Sequence, residues 1–216
     1  MCGIIGYIGS KQATPLLLQG LRRLEYRGYD SAGIAVLGES GMCVERSVGR
    51  IDNLAEKIRD CEIDGTIGIA HTRWATHGGV TEFNAHPHRG CGDSIVLVHN
   101  GIIENYRELR KELSKTHTFT SETDSEILAH LVELHYDGNL RHSVAQALQH
   151  VHGTYGIVVM HRSDPNTLVC ARMGSPLVIG IGEGEYYVAS DPSPLLTHTK
   201  DVTFLDDGEI AGWDFV

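Results

Sequence analysis

The residue best placed to do chemistry is the cysteine at position 2, directly after the initiator methionine. If Met1 is removed, Cys2 carries both a thiol and a free α-amine, whose reference pKa is about 7.7–8.0. Such an amine can take the proton of the thiol, as an N-terminal amine does for threonine nucleophiles. Residues 3–8 (GIIGYI) are apolar and predict a buried strand that would fix the cysteine in place. The other interpretation is that Cys2 is a small apolar residue at a strand start.

A second candidate is the pair Asn100-Gly101, which follows a predicted buried strand at residues 94–98. The asparagine amide and the unhindered glycine N–H are donors that suit an oxyanion hole, where negative charge develops during acyl transfer. Asn-Gly is also a strong turn dipeptide, so a plain turn is the alternative.

Two charged residues have the chemistry that an α-amino acid requires. Arg73 can bind a carboxylate through two parallel N–H bonds, and Asp124 can bind an ammonium group. Each could equally be a surface charge. Trp74 follows Arg73 in a polar segment at residues 72–87, where it is either a lid or ordinary packing.

The elements that must position these residues follow from the hydrophobic pattern. Strands are predicted in both the first and the last third of the chain, and helices dominate between them. Residues 31–37 and 42–48 predict a hairpin, whereas residues 125–135 and 140–151 predict helices. Because hairpins precede and follow the helices without strand–helix alternation, we expect an α+β fold with mainly antiparallel sheets and helices packed outside them.

Composition narrows the functional classes. The chain has 216 residues, a net charge of −10 and a pI of about 5.7, so a nucleic-acid partner is not expected. No apolar run approaches the roughly 18 residues that span a bilayer, and no signal peptide precedes Gly3. These observations predict a cytoplasmic protein without a membrane partner.

Cysteine spacing gives no support for a disulfide framework or a zinc ribbon, because the five cysteines are scattered and no CxxC occurs. A cluster of His86, His88 and Cys91 is conceivable, but no familiar metal-binding spacing supports it. We therefore expect neither a metal nor a cofactor.

Six ordered sequence blocks resemble a known family. They are residues 2–4 (CGI), 25–33 (EYRGYDSAG), 71–78 (HTRWATHG), 84–87 (NAHP), 99–101 (HNG) and 121–124 (SETD). Together they resemble the class II glutamine amidotransferases, which have an N-terminal nucleophile (Ntn) fold. Within that class, the amino-acid sequences of the longer blocks are most similar to those of the isomerising glutamine–fructose-6-phosphate aminotransferases, also called glucosamine-6-phosphate synthases. The resemblance covers essentially the whole chain.

The resemblance implies an αββα sandwich, with two antiparallel sheets between helical layers, and hydrolysis of L-glutamine through a thioester. It makes Cys2 the nucleophile, with its amine as the base. The resemblance further implies that Asn100 and the Gly101 N–H form the oxyanion hole. The residues that it expects to bind glutamine are Arg73, Thr76, His77, Gly101 and Asp124. Those that it expects to gate or support the site are Trp74, Arg27 and His86.

The resemblance also sets expectations for the whole enzyme. Residues 1–216 are expected to be the glutaminase domain, without the sugar-phosphate isomerase domain that follows in the full-length enzyme. The full-length enzyme is expected to be a homo-oligomer, and the isolated domain can be a monomer. The alternatives are the glutaminase domain of another class II enzyme, such as phosphoribosylpyrophosphate amidotransferase, glutamate synthase or asparagine synthetase, and a non-catalytic Ntn-fold module that binds glutamine.

Overall fold

The computed structural model describes residues 2–61, 63–75 and 78–214. Within them, twelve strands form two antiparallel sheets. The strands are β1 (Gly3–Ile8), β2 (Ser31–Gly38), β3 (Gly41–Val48), β4 (Ile67–Arg73), β5 (His88–Arg89), β6 (Ile95–Ile103), β7 (Gly153–His161), β8 (Thr167–Met173), β9 (Val178–Gly182), β10 (Glu185–Ala189), β11 (Val202–Phe204) and β12 (Ile210–Asp214). One sheet has the order β11-β9-β10-β1-β4-β2-β3, and the other has the order β12-β8-β7-β6-β5.

Five α-helices occur in the described part of the chain. They are α1 (Ala13–Leu24), α2 (Ile51–Lys57), α3 (Tyr106–Leu113), α4 (Ser125–Leu134) and α5 (Leu140–Leu148). A short 3₁₀ turn, Glu25–Arg27, follows α1. None of these helices has both the length and the apolar composition that crossing a membrane requires.

Three hydrophobic cores hold four layers together. The first joins α1 and α2 to the seven-stranded sheet, through residues such as Leu17 and Leu54. The second joins α3, α4 and α5 to the five-stranded sheet, through residues such as Leu128 and Val144. The third lies between the two sheets. This arrangement is the predicted αββα sandwich, so the fold class is confirmed.

Strand β1 fixes the start of the chain in the middle of the larger sheet, between β4 and β10. Its side chains alternate between two cores: Ile5 and Tyr7 pack with the helices, and Ile4 and Ile8 pack against the other sheet. Fully burying each of these large side chains stabilises the fold by roughly 1.5–3 kcal/mol. The chain start therefore cannot fray without losing core contacts.

The Asn100-Gly101 pair is not a turn. Both residues lie within β6 and pair with β7, where Asn100 is opposite Gly156 and Gly101 is opposite Tyr155. The sequence suggested that the strand ends before His99, but the ladder continues to Ile103. The turn interpretation of this dipeptide is therefore wrong, because tertiary pairing overrides its local preference.

Candidate active site

Cys2 lies at the N-terminal end of β1, beside the end of β4. Its Sγ accepts a hydrogen bond from the Trp74 backbone N–H at 3.2 Å and lies 3.5 Å from the Trp74 carbonyl oxygen. Its own carbonyl accepts from Arg27 Nε at 3.0 Å and from Asn100 Nδ2 at 3.2 Å. Hydrogen bonds on both its side chain and its backbone thus hold the cysteine.

The environment keeps the Cys2 thiol protonated. Burial raises its pKa above the ordinary value, and the Trp74 N–H and the charges of Arg73 and Arg27 oppose that shift without cancelling it. Because only the thiolate is a good nucleophile, a base has to remove this proton when substrate is present. The α-amine that removal of Met1 would expose belongs to the same residue. Met1 itself lies outside the described residues.

A histidine to which the sequence assigned no role orients the side-chain amide of Asn100 toward Cys2. His71 Nε2 lies 3.0 Å from Asn100 Oδ1 and 3.2 Å from the His99 carbonyl oxygen. Both neighbours are acceptors, so Nε2 carries the hydrogen. Burial lowers the pKa of His71 to about 3, so its ring is neutral at physiological pH. The bond to Oδ1 turns the Asn100 NH₂ group toward Cys2.

Gly101 has a backbone conformation that L-residues rarely adopt, with a φ of +138°. A Cβ at this position would also overlap the Thr154 carbonyl oxygen and lie 2.9 Å from His99 Nε2. Only glycine fits here, and its small size leaves the backbone accessible to a substrate.

Substituting Gly101 by alanine is therefore expected to lower the free energy of unfolding by about 3–5 kcal/mol, from the strained φ and the overlap together. Gly184→Ala is the matched control, because Gly184 also has a positive φ of 66° but no atom within 4 Å of its Cβ position. We expect the control to cost only about 1–2 kcal/mol in urea unfolding. Equal losses in the two variants would show that the overlap at Gly101 is relieved without cost.

Arg73 and Asp124 approach the cysteine from different elements. Arg73 ends β4, is buried, and donates through Nη1 to the Gly79 carbonyl oxygen at 3.1 Å. The pKa of Arg73 lies below its ordinary value, because burial lowers it more than the charges of Cys2, Asp30 and Asp124 raise it. Asp124 immediately precedes α4 and accepts from the Ile103 N–H at 2.8 Å. A positive and a negative group thus lie beside the thiol.

A small pocket of about 30 Å³, partly open to solvent, joins these groups. It is lined by Cys2, Arg73, Trp74, His86, His99, Gly101, Thr123, Asp124 and Ser125. His99, Thr123 and Ser125 received no role from the sequence. His99 Nδ1 lies 2.8 Å from Ser125 Oγ, which links β6 to the start of α4 across the pocket floor.

The predicted gate and support residues lie at the edges of this pocket. The Trp74 side chain is 46% exposed, and its ring meets Tyr29 edge-on at 5.6 Å between centroids. Arg27 pairs with Asp191, with 3.6 Å between Nη1 and Oδ2, in addition to its bond to the Cys2 carbonyl. Thr76 and His77, which the sequence predicted to bind glutamine, lie outside the described residues.

His86 lines the pocket in an unusual state. It is buried, its ring lies 4.0 Å from that of His71 between centroids, and neither ring nitrogen has a hydrogen-bond partner among the described residues. Burial and the neighbouring histidines hold its pKa well below the ordinary value, so the ring is neutral.

Known proteins are similar to this chain in sequence and in fold. The sequence pattern of the glutamine amidotransferase domain matches residues 73–197. A glutamine–fructose-6-phosphate aminotransferase (isomerizing) from Pyrococcus horikoshii is 51% identical over 97% of this chain and 36% of its own length. The enzyme of the same name from Chlorobaculum tepidum is 52% identical over 98% of this chain and 36% of its own length. The chain thus spans about a third of the length of these relatives.

Solved structures support the fold. The glutamine phosphoribosylpyrophosphate amidotransferase of B. subtilis superimposes with a TM-score of 0.80 at 23% identity, over all of this chain and 49% of its own. A glutamine aminotransferase class-II domain protein from Silicibacter pomeroyi gives a TM-score of 0.62 at 17% identity over the whole of both chains. Below 25% identity such likeness speaks for the fold alone.

The family predicted from the six sequence blocks is confirmed. The matched sequence pattern covers more than half of the chain, and nearly the full chain aligns with relatives at about 50% identity. This chain belongs to the family of glutamine amidotransferase domains.

Proposed function

We propose that this chain hydrolyses the side-chain amide of L-glutamine to glutamate and ammonia, with Cys2 as an N-terminal nucleophile. The observation that carries the proposal is the convergence of Cys2, Arg73 and Asp124 on one small pocket, with the Asn100 amide bonded to the Cys2 carbonyl beside it. A nucleophile, an oxyanion donor and a clamp for an amino-acid head group are what amide transfer from glutamine requires.

The proposed reaction begins when the α-amine of Cys2 takes the thiol proton. The thiolate attacks the amide carbon, and the negative oxygen accepts hydrogen bonds from Asn100 Nδ2 and the Gly101 N–H. As the C–N bond breaks, the α-ammonium gives its proton to the leaving nitrogen, which departs as ammonia. A thioester between Cys2 and the glutamyl group remains. The same amine then activates a water molecule that releases glutamate and restores the thiol.

The head group of glutamine is proposed to lie between Arg73 and Asp124, with Thr76 and His77 adding further contacts. Burial makes both charges effective, because the residues Arg73 and Asp124 are each only 4% exposed. Trp74 is proposed to gate the passage of ammonia, and Arg27 to support the nucleophile through the Cys2 carbonyl. His86 is proposed to support the pocket from its buried side.

The ammonia is proposed to serve amination of fructose 6-phosphate in a longer enzyme, which yields glucosamine 6-phosphate. The names and about 50% identity of the relatives favour this acceptor over phosphoribosylpyrophosphate, because the phosphoribosylpyrophosphate enzyme resembles the chain only in fold. Residues 1–216 would be the glutaminase part, acting in cis with a sugar-phosphate isomerase part. A cytoplasmic location, a homo-oligomeric full-length enzyme and a monomeric domain remain predictions.

The proposal is tested by incubating the purified chain with glutamine and measuring glutamate and ammonia separately. We expect equal amounts of both products, no reaction with asparagine, and no amino sugar when fructose 6-phosphate is added to these 216 residues alone. Glutamine binding in calorimetry without release of glutamate would favour the non-catalytic binding module instead. Formation of an amino sugar would refute the assignment of this chain to the glutaminase part.

Asp124→Asn is expected to raise KM for glutamine by about 10–100-fold with a smaller change in kcat. Asparagine keeps an oxygen that can accept the Ile103 N–H, so the substitution removes charge without removing that bond. Steady-state kinetics provide the measurement, and Asp60→Asn, at an exposed site after α2, is the matched control. An unchanged KM would mean that Asp124 does not pair with the substrate ammonium.

A further inference from the structure

A second cluster of reactive side chains lies away from the glutaminase pocket, beside a separate cavity of about 460 Å³. Cys91, in the turn between β5 and β6, meets His130 and Glu133 of α4 there. In the described part of the chain, this is the one group of three or more cysteine, histidine and acidic side chains whose ligand atoms all lie within 4.8 Å of one another.

The distances in this cluster match those between ligands of one tetrahedral ion. His130 Nδ1 lies 3.7 Å from Cys91 Sγ and 3.6 Å from Glu133 Oε2. With zinc bonds of 2.3 Å to sulfur and about 2.0–2.2 Å to nitrogen and oxygen, a regular tetrahedron separates its ligand atoms by about 3.4–3.6 Å. These two separations thus need to shorten by at most a few tenths of an ångström around such an ion, and all three ligand atoms lie within 4.8 Å of one another.

The surroundings of His130 favour the tautomer that a metal requires. Its Nε2 has no hydrogen-bond partner among the described residues, and its closest ion-pair neighbour is Glu126 Oε1 at 3.7 Å. That carboxylate is held in place by hydrogen bonds from Thr120 and Ser121. A carboxylate facing Nε2 favours a proton there and leaves the Nδ1 lone pair facing Cys91 and Glu133, as in carboxylate–histidine–metal triads.

A further histidine, His117, lies beside Glu133 in the segment after α3. Its Nε2 lies 3.8 Å from Glu133 Oε2, and its Nδ1 lies 2.8 Å from Thr116 Oγ1. The Thr116 hydroxyl donates to the Leu113 carbonyl oxygen at 3.4 Å, so its oxygen is left to accept from Nδ1–H. His117 thus contacts Glu133, but it does not belong to the group whose ligand atoms all lie within 4.8 Å of one another.

Glu133 is already fixed in place by the loop that carries Cys91. Its two carboxylate oxygens accept from the Cys91 N–H at 2.7 Å and from the Gly92 N–H at 2.6 Å. A Cβ at Gly90 would come within 2.7 Å of the carboxyl carbon, so this close approach depends on glycine. The carboxylate and the thiol are therefore held side by side before any ion arrives.

We propose that Cys91, His130 and Glu133 form a binding site for one zinc ion. A thiolate, an imidazole and a carboxylate are ligands that suit zinc, and a water molecule would complete the tetrahedral coordination. On binding, Cys91 gives its proton to solvent, so the thiolate and the carboxylate balance the two charges of the ion. The ion would tie the β5–β6 turn to α4, whose N-terminal residue Ser125 lines the glutaminase pocket.

The test uses the untagged, chelator-treated chain carrying Cys2→Ala, which removes the reactive thiol of the other site. Cobalt(II) is added as a spectroscopic substitute, and zinc is then added to displace it. We expect one cobalt ion per chain, intense visible bands of tetrahedral cobalt, and a near-ultraviolet thiolate-to-cobalt band, all abolished by zinc. Zinc should also raise the melting temperature of the chain.

Cys91→Ser is the decisive variant, because serine can still accept the hydrogen bond that the Thr118 N–H donates to Cys91 Sγ. It should abolish the thiolate-to-cobalt band and weaken zinc binding on the order of 100-fold or more. Cys61→Ser, at another exposed cysteine, is the matched control and should change neither. An absent band in the parent chain, or a band that survives Cys91→Ser in a protein with unchanged circular dichroism, would overturn the proposal.

Discussion

Replacing Cys2 by alanine is expected to reduce glutamine hydrolysis by at least about 10⁴-fold while leaving glutamine binding largely intact. The Cys2 side chain bonds only to the backbone of Trp74 among its described contacts, so its removal should not disturb the sheets. The head-group clamp of Arg73 and Asp124 remains in the variant. Glutamate release measures the first effect, and calorimetric titration with glutamine measures the second.

Cys61→Ala controls for loss of an exposed thiol elsewhere in the chain and should hydrolyse glutamine at the parental rate. If the Cys2→Ala variant kept more than about one hundredth of the parental rate, another group would have to be the nucleophile. Loss of glutamine binding together with activity would instead indicate that the thiol shapes the pocket.

The second large effect is expected when Cys2 is present but its α-amine is blocked. In a fusion cut by a protease that leaves Cys2 as the first residue, hydrolysis should be about 10²–10⁴-fold slower before cleavage than after it. The reason is that burial raises the pKa of the thiol, so a neighbouring base has to take its proton. Glutamate release is followed in one sample before and after cleavage.

A control fusion and a pH profile complete this experiment. The same fusion carrying Cys2→Ala should stay inactive after cleavage, which excludes a contribution from the protease. In the cleaved chain, kcat/KM should rise as the pH rises through the pKa of the amine, whose reference value is about 7.7–8.0, because only the neutral amine can accept the proton. Equal activity before and after cleavage would show that the amine is not the base.

The layered fold could be anticipated from the sequence because its causes are local. The apolar runs predicted strands such as β1, and the hairpin of β2 and β3 formed with nearly the predicted bounds. The turn alternative at Asn100-Gly101 failed for a tertiary reason. The dipeptide prefers a turn by itself, but nine paired positions between β6 and β7 hold it in a strand.

The site was only partly predictable for a similar reason. Cys2, Arg73 and Asp124 were identified by residue chemistry and by the six sequence blocks, and they do line one pocket. His71 was missed because its contribution is a hydrogen bond to Asn100, 29 residues away, which no spacing rule reveals. Its position in β4, adjacent to β1, could have suggested a role only after the sheet order was known.

The proposed zinc site departs from the expectation that the chain binds no metal. Its three ligands come from two segments, and Cys91 precedes His130 by 39 positions, so no short sequence motif identifies them. Only His130 and Glu133 show a regular relation, since residues three apart on a helix share one face. The histidines next to Cys91 in sequence, His86 and His88, instead pack with His71 near the glutaminase pocket.

The central claim, that Cys2 acts as a processed N-terminal nucleophile, is tested most directly by intact-mass measurement after treatment with the glutamine-like electrophile diazo-oxo-norleucine. We expect chains that have lost Met1 to gain a single adduct, located on Cys2 and suppressed by excess glutamine. Chains that retain Met1, and the Cys2→Ala variant, should remain unmodified. An adduct on the Cys2→Ala variant, or equal modification of chains with and without Met1, would contradict the claim.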